Sequence, residues 1–152
     1  MKWSATLVLI AVIFFAGINF SVGRTYAGEQ AQAKEPVPDG AKDLEEKWGI
    51  KILSIRLTAG GYMLDFRYRV IDADKAAPLF DGKIKPYLVD LKSGAKCQVP
   101  ESSKIGALRQ TRKPFANHNY FIMFANPGKL IKKENAVTIV VGDFRAENLT
   151  VQ

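Results

Sequence analysis

The most constraining feature of this chain is a stretch in which apolar and polar side chains alternate with a period of two. The first set is Tyr62, Leu64, Phe66, Tyr68 and Val70, and the second set is Met63, Asp65, Arg67 and Arg69. Successive side chains of a strand point to opposite faces. The alternation therefore predicts an antiparallel strand with one buried face and one solvated face that carries local ion pairs.

Six further segments carry strand patterns, with turn signals between them. The predicted inward sets are Leu53, Ile55 and Leu57; Tyr87, Val89 and Leu91; Ala95, Cys97 and Val99; and Leu149 and Val151. The two remaining segments are Tyr120–Ala125, apolar on both faces as in a central strand, and the β-branched Ala136–Val141. The turns are Ala59-Gly60-Gly61, Ser93-Gly94 and Asn126-Pro127-Gly128. About seven short antiparallel strands predict an all-β fold, an immunoglobulin-like two-sheet sandwich, with a small barrel as the alternative topology.

An apolar run from Ala5 to Val22 precedes these strands and predicts export. Its length suits either a signal peptide or an N-terminal membrane anchor. Small residues in Thr25-Tyr26-Ala27 favour cleavage after Ala27, and retention as an anchor is the alternative. In both cases the positive amino terminus stays in the cytosol. The body is then periplasmic, either free or held at the inner membrane.

The predicted organisation has three parts. Residues 1–27 form the signal peptide or anchor, residues 28–40 a flexible tether rich in Gln, Ala, Glu and Pro, and residues 41–152 a short helix followed by the sandwich. The helix is expected to run from Ala41 to Lys47, with Asp39 as its cap and Gly49 as its stop. Trp48 is expected to close one end of the core.

Charge and cysteine content exclude several classes of protein. The chain has 22 basic and 15 acidic residues, and cleavage after Ala27 removes two basic residues and no acidic one, leaving a net charge of +5. This charge favours weak contact with an anionic membrane surface, but the concentrated basic tract of a nucleic-acid reader is missing. The single cysteine, Cys97, excludes an internal disulfide.

No pattern in the sequence indicates catalysis, a cofactor or a metal centre. Serines, His118 and aspartates are present, but no nucleophile elbow positions them, so we expect a protein that is not an enzyme. A metal site needs several converging ligands, and the body offers one His, one Cys and two Met. His118 and Met123 are candidate copper ligands, but a separation of five residues places them on opposite faces of a strand. Met63 on the polar strand face could be an exposed copper ligand.

A basic loop is the candidate binding site. Its residues are Arg109, Arg112, Lys113 and His118, close in sequence to Phe115. Arginines beside aromatic rings can hold carboxylate or phosphate groups by paired hydrogen bonds and stacking. A second basic cluster, at Lys129, Lys132 and Lys133, follows the Asn126-Pro127-Gly128 turn. The alternative interpretation of both clusters is an ordinary charged loop without a ligand.

Several segments resemble a group of uncharacterised exported bacterial proteins with a small immunoglobulin-like β-sandwich domain. They are Gly61–Val70, Lys85–Leu88, Phe124–Gly128 and Val141–Arg145. The resemblance covers residues 50–151 and implies a bacterial envelope setting, without any catalytic assignment. The leading hypothesis is therefore a non-enzymatic envelope protein whose sandwich docks on another envelope protein. The alternative is a periplasmic carrier of a small ligand or copper that uses the Arg109–His118 loop or Met63.

Intact-mass measurement of the protein recovered from cells tests the prediction for the N-terminal segment. We expect a mature chain that starts at Gly28, because Thr25-Tyr26-Ala27 presents small residues at the positions a signal peptidase inspects. A chain that starts at Met1 would instead identify residues 1–27 as a retained anchor.

Overall fold

The computed structural model describes residues 40–152, so the predicted export segment and nearly all of the tether lie outside the described residues. Within residues 40–152 the chain consists mainly of antiparallel β-strands, which confirms the all-β prediction. None of the helices in this part of the chain is long and apolar enough to cross a bilayer.

Residues 40–152 contain two α-helices and nine strands. The helices are α1 (Ala41–Trp48) and α2 (Ala73–Ala76). The strands are β1 (Ile50–Thr58), β2 (Met63–Val70), β3 (Tyr87–Asp90), β4 (Lys96–Gln98), β5 (Glu101–Ser102), β6 (Gly106–Ala107), β7 (Asn119–Ala125), β8 (Ala136–Val141) and β9 (Phe144–Thr150). The short helix α2 is not among the elements predicted from the sequence, and Asp72 caps it by accepting from the backbone N–H groups of Asp74 and Lys75.

Seven of these strands form two larger antiparallel sheets. One sheet has the order β1-β2-β7 and the other the order β4-β3-β8-β9, while β5 and β6 form a separate small hairpin. Buried side chains from both larger sheets belong to a single hydrophobic core. The two sheets therefore bury their apolar faces against each other.

Strand β2 confirms most of the alternating pattern. Leu64, Phe66, Tyr68 and Val70 are each at most 1% exposed. Tyr62 departs from the pattern: it precedes the strand, after the turn Ala59–Gly61, and is 57% exposed. On the outer face, Arg67 pairs with Asp65 at 2.8 Å, yet Asp65 itself is buried. The outer face of β2 is thus less solvated than its polar sequence predicts.

A bulge changes which side chains of β1 point to the core. The pairing with β2 shifts between Ile52 and Ser54, which leaves Leu53 without a partner in the register. Ile50, Ile52, Ile55 and Leu57 contribute to the core, and Leu53 does not. The extra residue of the bulge moves the inward positions by one along the strand.

The prediction of which β3 side chains point to the core was wrong by one residue. Leu88 and Asp90 are buried, whereas Tyr87 and Val89 lie only partly buried on the other face and Leu91 is 50% exposed. A carboxylate is tolerated inside because Asp90 accepts hydrogen bonds from the backbone and hydroxyl of Ser93 and from Asn135 Nδ2. The register is fixed by Leu88, which pairs with the buried Cys97.

Strand β7 lies at the end of its three-stranded sheet and is not the central strand that its apolar sequence predicts. It pairs with β2 along one side. Its other side contacts the loop segment that precedes β7 in the chain, with one bridge between Arg109 and Ile122. Loop residues therefore cover the edge that a fourth strand would otherwise occupy.

Helix α1 lies against the start of the core. Its N-cap residue is Gly40, so the prediction of Asp39 as the cap was wrong. Gly49 ends the helix in the left-handed conformation, and a Cβ there would lie 2.7 Å from both Cβ and O of Asp72. Trp48 packs edge-on against Phe144 with ring centroids 5.6 Å apart, as expected for a residue that closes the core.

The connections of the two sheets gather at two opposite ends. We call one of them the lysine-rich end, which consists of the turn Ala59–Tyr62, the turn Leu91–Ala95 and the segment Asn126–Asn135. The segment is tied to the first turn through Asn126 and to the second through Asn135. The connection from β6 to β7 lies at the opposite end, where Val70 of β2 exchanges hydrogen bonds with Asn117 and His118.

The buried Asn126 side chain joins two parts of the lysine-rich end. Its amide donates to the carbonyl oxygens of Gly61 at 2.9 Å and Ile131 at 2.8 Å, and its oxygen accepts from Ile131 N at 3.0 Å. Asn126 is 0% exposed. Removal of this side chain would leave buried backbone groups without partners.

We therefore expect Asn126→Ala to lower the free energy of unfolding by about 2–4 kcal/mol, because each buried unsatisfied group costs about 1–3 kcal/mol. Urea unfolding followed by fluorescence measures the effect. Asn119→Ala, which removes an exposed side-chain hydrogen bond to Arg69, serves as the control and should change the free energy by no more than about 0.5 kcal/mol. Equal effects of the two variants would contradict the role of Asn126.

Asp90 should make stability depend on pH. Burial acts to raise the pKa of Asp90, but the hydrogen bonds from Ser93 and Asn135 outweigh it and the pKa is lowered. A carboxyl whose folded-state pKa is depressed stabilises the fold above its unfolded pKa of about 4, and that contribution is lost as the pH falls. We expect Asp90→Asn to be less stable than the parent at neutral pH and the difference to shrink below about pH 4. Urea unfolding across this range checks it, and a difference independent of pH would contradict it.

Candidate binding cleft

The first residues of the candidate binding loop form hydrogen bonds along the free edge of β7. The carbonyl of Leu108 accepts from Met123 N at 3.0 Å, and the side-chain oxygen of Gln110 accepts from Phe121 N at 3.0 Å. Between them, Arg109 forms the bridge to Ile122. Paired residues of neighbouring strands share a face, and Ile122 is a core residue. The Arg109 side chain is thereby directed to the inner side of the sheet.

Arg109 is the only buried basic residue among the described residues, with 8% of it exposed. Its Nη2 donates to the backbone carbonyl of Asp81, and its Nη1 has no hydrogen-bond partner among the described residues. Burial lowers the pKa of Arg109, while nearby Tyr68 and Asp81 act in the opposite direction. Burial also raises the pKa of Tyr68 far above its usual range, so the phenol stays neutral. None of the ion pairs within residues 40–152 involves Arg109.

Tyr120 holds the second half of the loop. Its hydroxyl accepts from Phe115 N at 2.8 Å, and its ring packs edge-on against Phe80 with centroids 4.7 Å apart. The loop then returns to the sheet through Asn117 N, which donates to Val70 O at 2.7 Å, and His118 O, which accepts from Val70 N at 3.0 Å. Both ends of the loop are therefore attached to strands.

Between these attachments lies an open pocket with a volume of about 400 Å³, which we call the cleft. It is lined by Arg109, Gln110, Thr111, Arg112, Lys113, Phe115 and Tyr120. Arg112 and Lys113 are exposed, and Phe115 is 66% exposed. The cleft thus combines three cationic side chains with two aromatic rings, and its lining contains no carboxylate.

The structure brings three of the four predicted binding residues together. Arg109, Arg112 and Lys113 line the cleft, and His118 does not. His118 is exposed, its Nδ1 lies 3.0 Å from Ala116 O, and its ring is 5.8 Å from that of Phe115. His118 therefore borders the cleft through Phe115 and does not form its wall.

The residues considered for copper do not meet. Met63 begins β2 opposite Ala125, whereas His118 bonds to Val70 at the other end of the same strand. Met63 is partly buried, not fully exposed as the polar strand face suggested. Within residues 40–152 no three His, Cys, Asp or Glu side chains cluster in a way that could hold a metal ion.

Sequence reasoning missed Gln110, Thr111 and Tyr120 as cleft residues. Tyr120 was assigned only to a strand, and Gln110 and Thr111 carry no charge. One available signal was length: about twenty residues separate Val99 from Asn119 without a strong strand or helix pattern. Long connections of this kind within compact domains are usually functional or disordered.

The lining residues are suited to hold an anion. A guanidinium forms paired, charge-assisted hydrogen bonds with carboxylate or phosphate, and aromatic rings add contact area. The hydroxyl groups of the lining are those of Thr111 and Tyr120, and the lining contains no imidazole or thiol.

Comparison with known proteins adds no relative from which a function could be carried over. No protein-family model, no curated protein and no solved structure matches this chain.

Proposed function

We propose that this chain is a non-enzymatic bacterial envelope protein whose β-domain is a protein-interaction module, and that the cleft binds a carboxylate-bearing segment of another envelope protein. The observation that carries the proposal is that the buried residue Arg109 lines the cleft and that its Nη1 lacks a hydrogen-bond partner among the described residues. Burial of a cationic group without a full set of hydrogen-bond partners lowers the stability of a fold. A role in binding would explain why such a group is present. An incoming carboxylate would supply the missing acceptor.

The two neighbouring cations extend this recognition outward. Arg112 and Lys113 are exposed, and no ion pair within residues 40–152 involves them. They can therefore meet an acidic group without first losing an intramolecular partner. Phe115, at 66% exposure, offers an apolar surface for the adjoining part of the bound segment.

The proposed fold is an immunoglobulin-like sandwich, and strand order supports it. The immunoglobulin constant topology has sheets ABED and CFG. If β1, β2, β3, β4, β7, β8 and β9 are assigned to A, B, C, D, E, F and G, the observed sheets are A-B-E and D-C-F-G. The order differs only in that D pairs with C instead of E. Sandwiches of this type carry recognition loops at their ends, where the cleft lies.

The proposed setting is the periplasm, either free or held at the inner membrane. It rests on the apolar run Ala5–Val22 and on the resemblance to exported bacterial proteins. A periplasmic domain meets soluble and membrane-bound partners alike, so both states of the N-terminal segment are compatible with the interaction role.

A second candidate is a periplasmic carrier of a small anion, and the size of the cleft favours it. About 400 Å³ lies within the range of small-molecule sites, about 300–1,000 Å³. Isothermal titration of the full chain with citrate and with inorganic phosphate separates the candidates. Saturable binding of either compound that is lost in Arg112→Gln/Lys113→Gln would favour the carrier.

Site-specific photocrosslinking in cells tests the interaction role. A photoreactive amino acid in place of the exposed Thr111 should give a discrete adduct with one envelope protein. We expect Arg112→Gln/Lys113→Gln to weaken this binding at least about tenfold, because charge-assisted hydrogen bonds contribute about 1.5–3 kcal/mol each. Adduct yield as a function of expression level measures the change.

The matched control is Lys51→Gln/Arg56→Gln, which removes the same charge from exposed positions of β1. This control should leave the adduct yield unchanged. Absence of a discrete adduct, or equal losses in both double variants, would overturn the proposed interaction role. Thermal unfolding of both variants confirms that the domain is intact.

A further inference from the structure

The lysine-rich end exposes three large apolar side chains on three separate connections. Tyr62 is 57% exposed, Leu91 50% and Leu130 58%. Tyr62 follows the turn Ala59–Gly61, Leu91 begins the turn Leu91–Ala95, and Leu130 follows the turn Pro127–Lys129. These three apolar side chains are therefore open to solvent on three separate connections of one end.

Four lysines surround these apolar residues. Lys92, Lys129, Lys132 and Lys133 are all exposed, and Lys129 Nζ lies 4.5 Å from the centre of the Tyr62 ring. In the three connections of this end, Glu134 is the only exposed acidic residue, so the surface has a net charge of +3. An anionic partner is the complement of such a surface.

Buried hydrogen bonds hold the three connections in place. Asn126 binds the carbonyl oxygens of Gly61 and Ile131, and Asp90 receives hydrogen bonds from Ser93 and Asn135. The exposed groups thus sit on a preorganised base, and little backbone ordering is needed when they meet a partner.

We propose that the lysine-rich end docks on an anionic phospholipid bilayer, with Tyr62, Leu91 and Leu130 among the headgroups and the lysines against the lipid phosphates. Three exposed apolar residues on separate connections suit a deformable surface, whereas a protein partner needs a continuous complementary face. Tyrosine is favoured at membrane interfaces, and basic residues near an anionic bilayer strengthen binding. This inference goes beyond the proposed function, because the surface lies at the end opposite the cleft.

Fluorophores at the two ends of the full-length protein test the proposal without interference from its apolar N-terminal segment. An environment-sensitive dye is attached at Lys92→Cys in the lysine-rich end or at Asp143→Cys in the β8–β9 turn of the opposite end. The native thiol of Cys97 is 3% exposed, so labelling is selective. Vesicles of phosphatidylcholine with or without phosphatidylglycerol, each with a spin-labelled lipid quencher, are then compared.

We expect blue-shifted and quenched emission for the dye at position 92 with vesicles containing phosphatidylglycerol, and no such change at position 143. High salt should reverse the effect, because screening weakens the attraction. Lys129→Gln/Lys132→Gln/Lys133→Gln should lower the apparent affinity about fivefold per lysine. The matched control Lys51→Gln/Lys83→Gln/Lys104→Gln, which removes three exposed lysines elsewhere, should retain it.

Three outcomes would overturn the proposal. One is an unchanged dye at position 92, and another is equal quenching at positions 92 and 143. The third is a response of the dye at position 92 to soluble polyglutamate but not to vesicles, which would assign this end to an acidic protein partner.

Discussion

The hydrogen bonds of two buried polar side chains, Asn126 and Asp90, hold together the end of the domain where three connections meet. The two sheets share an apolar core, but apolar contacts are non-directional and do not position loops. The directional hydrogen bonds of Asn126 fix the β1–β2 turn relative to the segment after β7. Asp90 does the same between the β3–β4 turn and the start of β8. The geometry of the exposed lysines and apolar residues depends on both.

The cleft at the other end is built on a different principle. There a cation is buried against a single backbone carbonyl, and Tyr68 and Asp81 lie nearby without forming an ion pair with it among the described residues. Such a site is incompletely satisfied within the domain, in contrast to Asp90, whose oxygens accept from several donors. One end therefore uses buried polar groups to fix its loops, and the other contains a buried charge with an incomplete set of hydrogen-bond partners.

Much of the fold could be predicted from the sequence, because period-two patterning marked five strands of the two larger sheets and apolar or β-branched runs marked the other two, β7 and β8. The errors occurred where a local interaction overrode patterning. Asp90 read as an outward residue, but Ser93 and Asn135 satisfy its carboxylate inside. Leu53 read as inward, but a bulge turns it away. For the cleft, clustered arginines pointed to the loop, but the burial of Arg109 depends on Ile122 and Asp81, which are distant in sequence.

The burial of Cys97 affects how the domain reacts with oxidants and with other thiols. The thiol is buried opposite Leu88, and burial together with the nearby charge of Asp90 raises its pKa. A protonated, inaccessible thiol reacts slowly with oxidants and with other thiols. In the oxidising compartment that the sequence predicts, the native domain is thereby protected from covalent dimerisation, and only chains whose β3–β4 hairpin has opened can be trapped. The rate at which the Cys97 thiol is modified therefore measures how often the β3–β4 hairpin opens from the core.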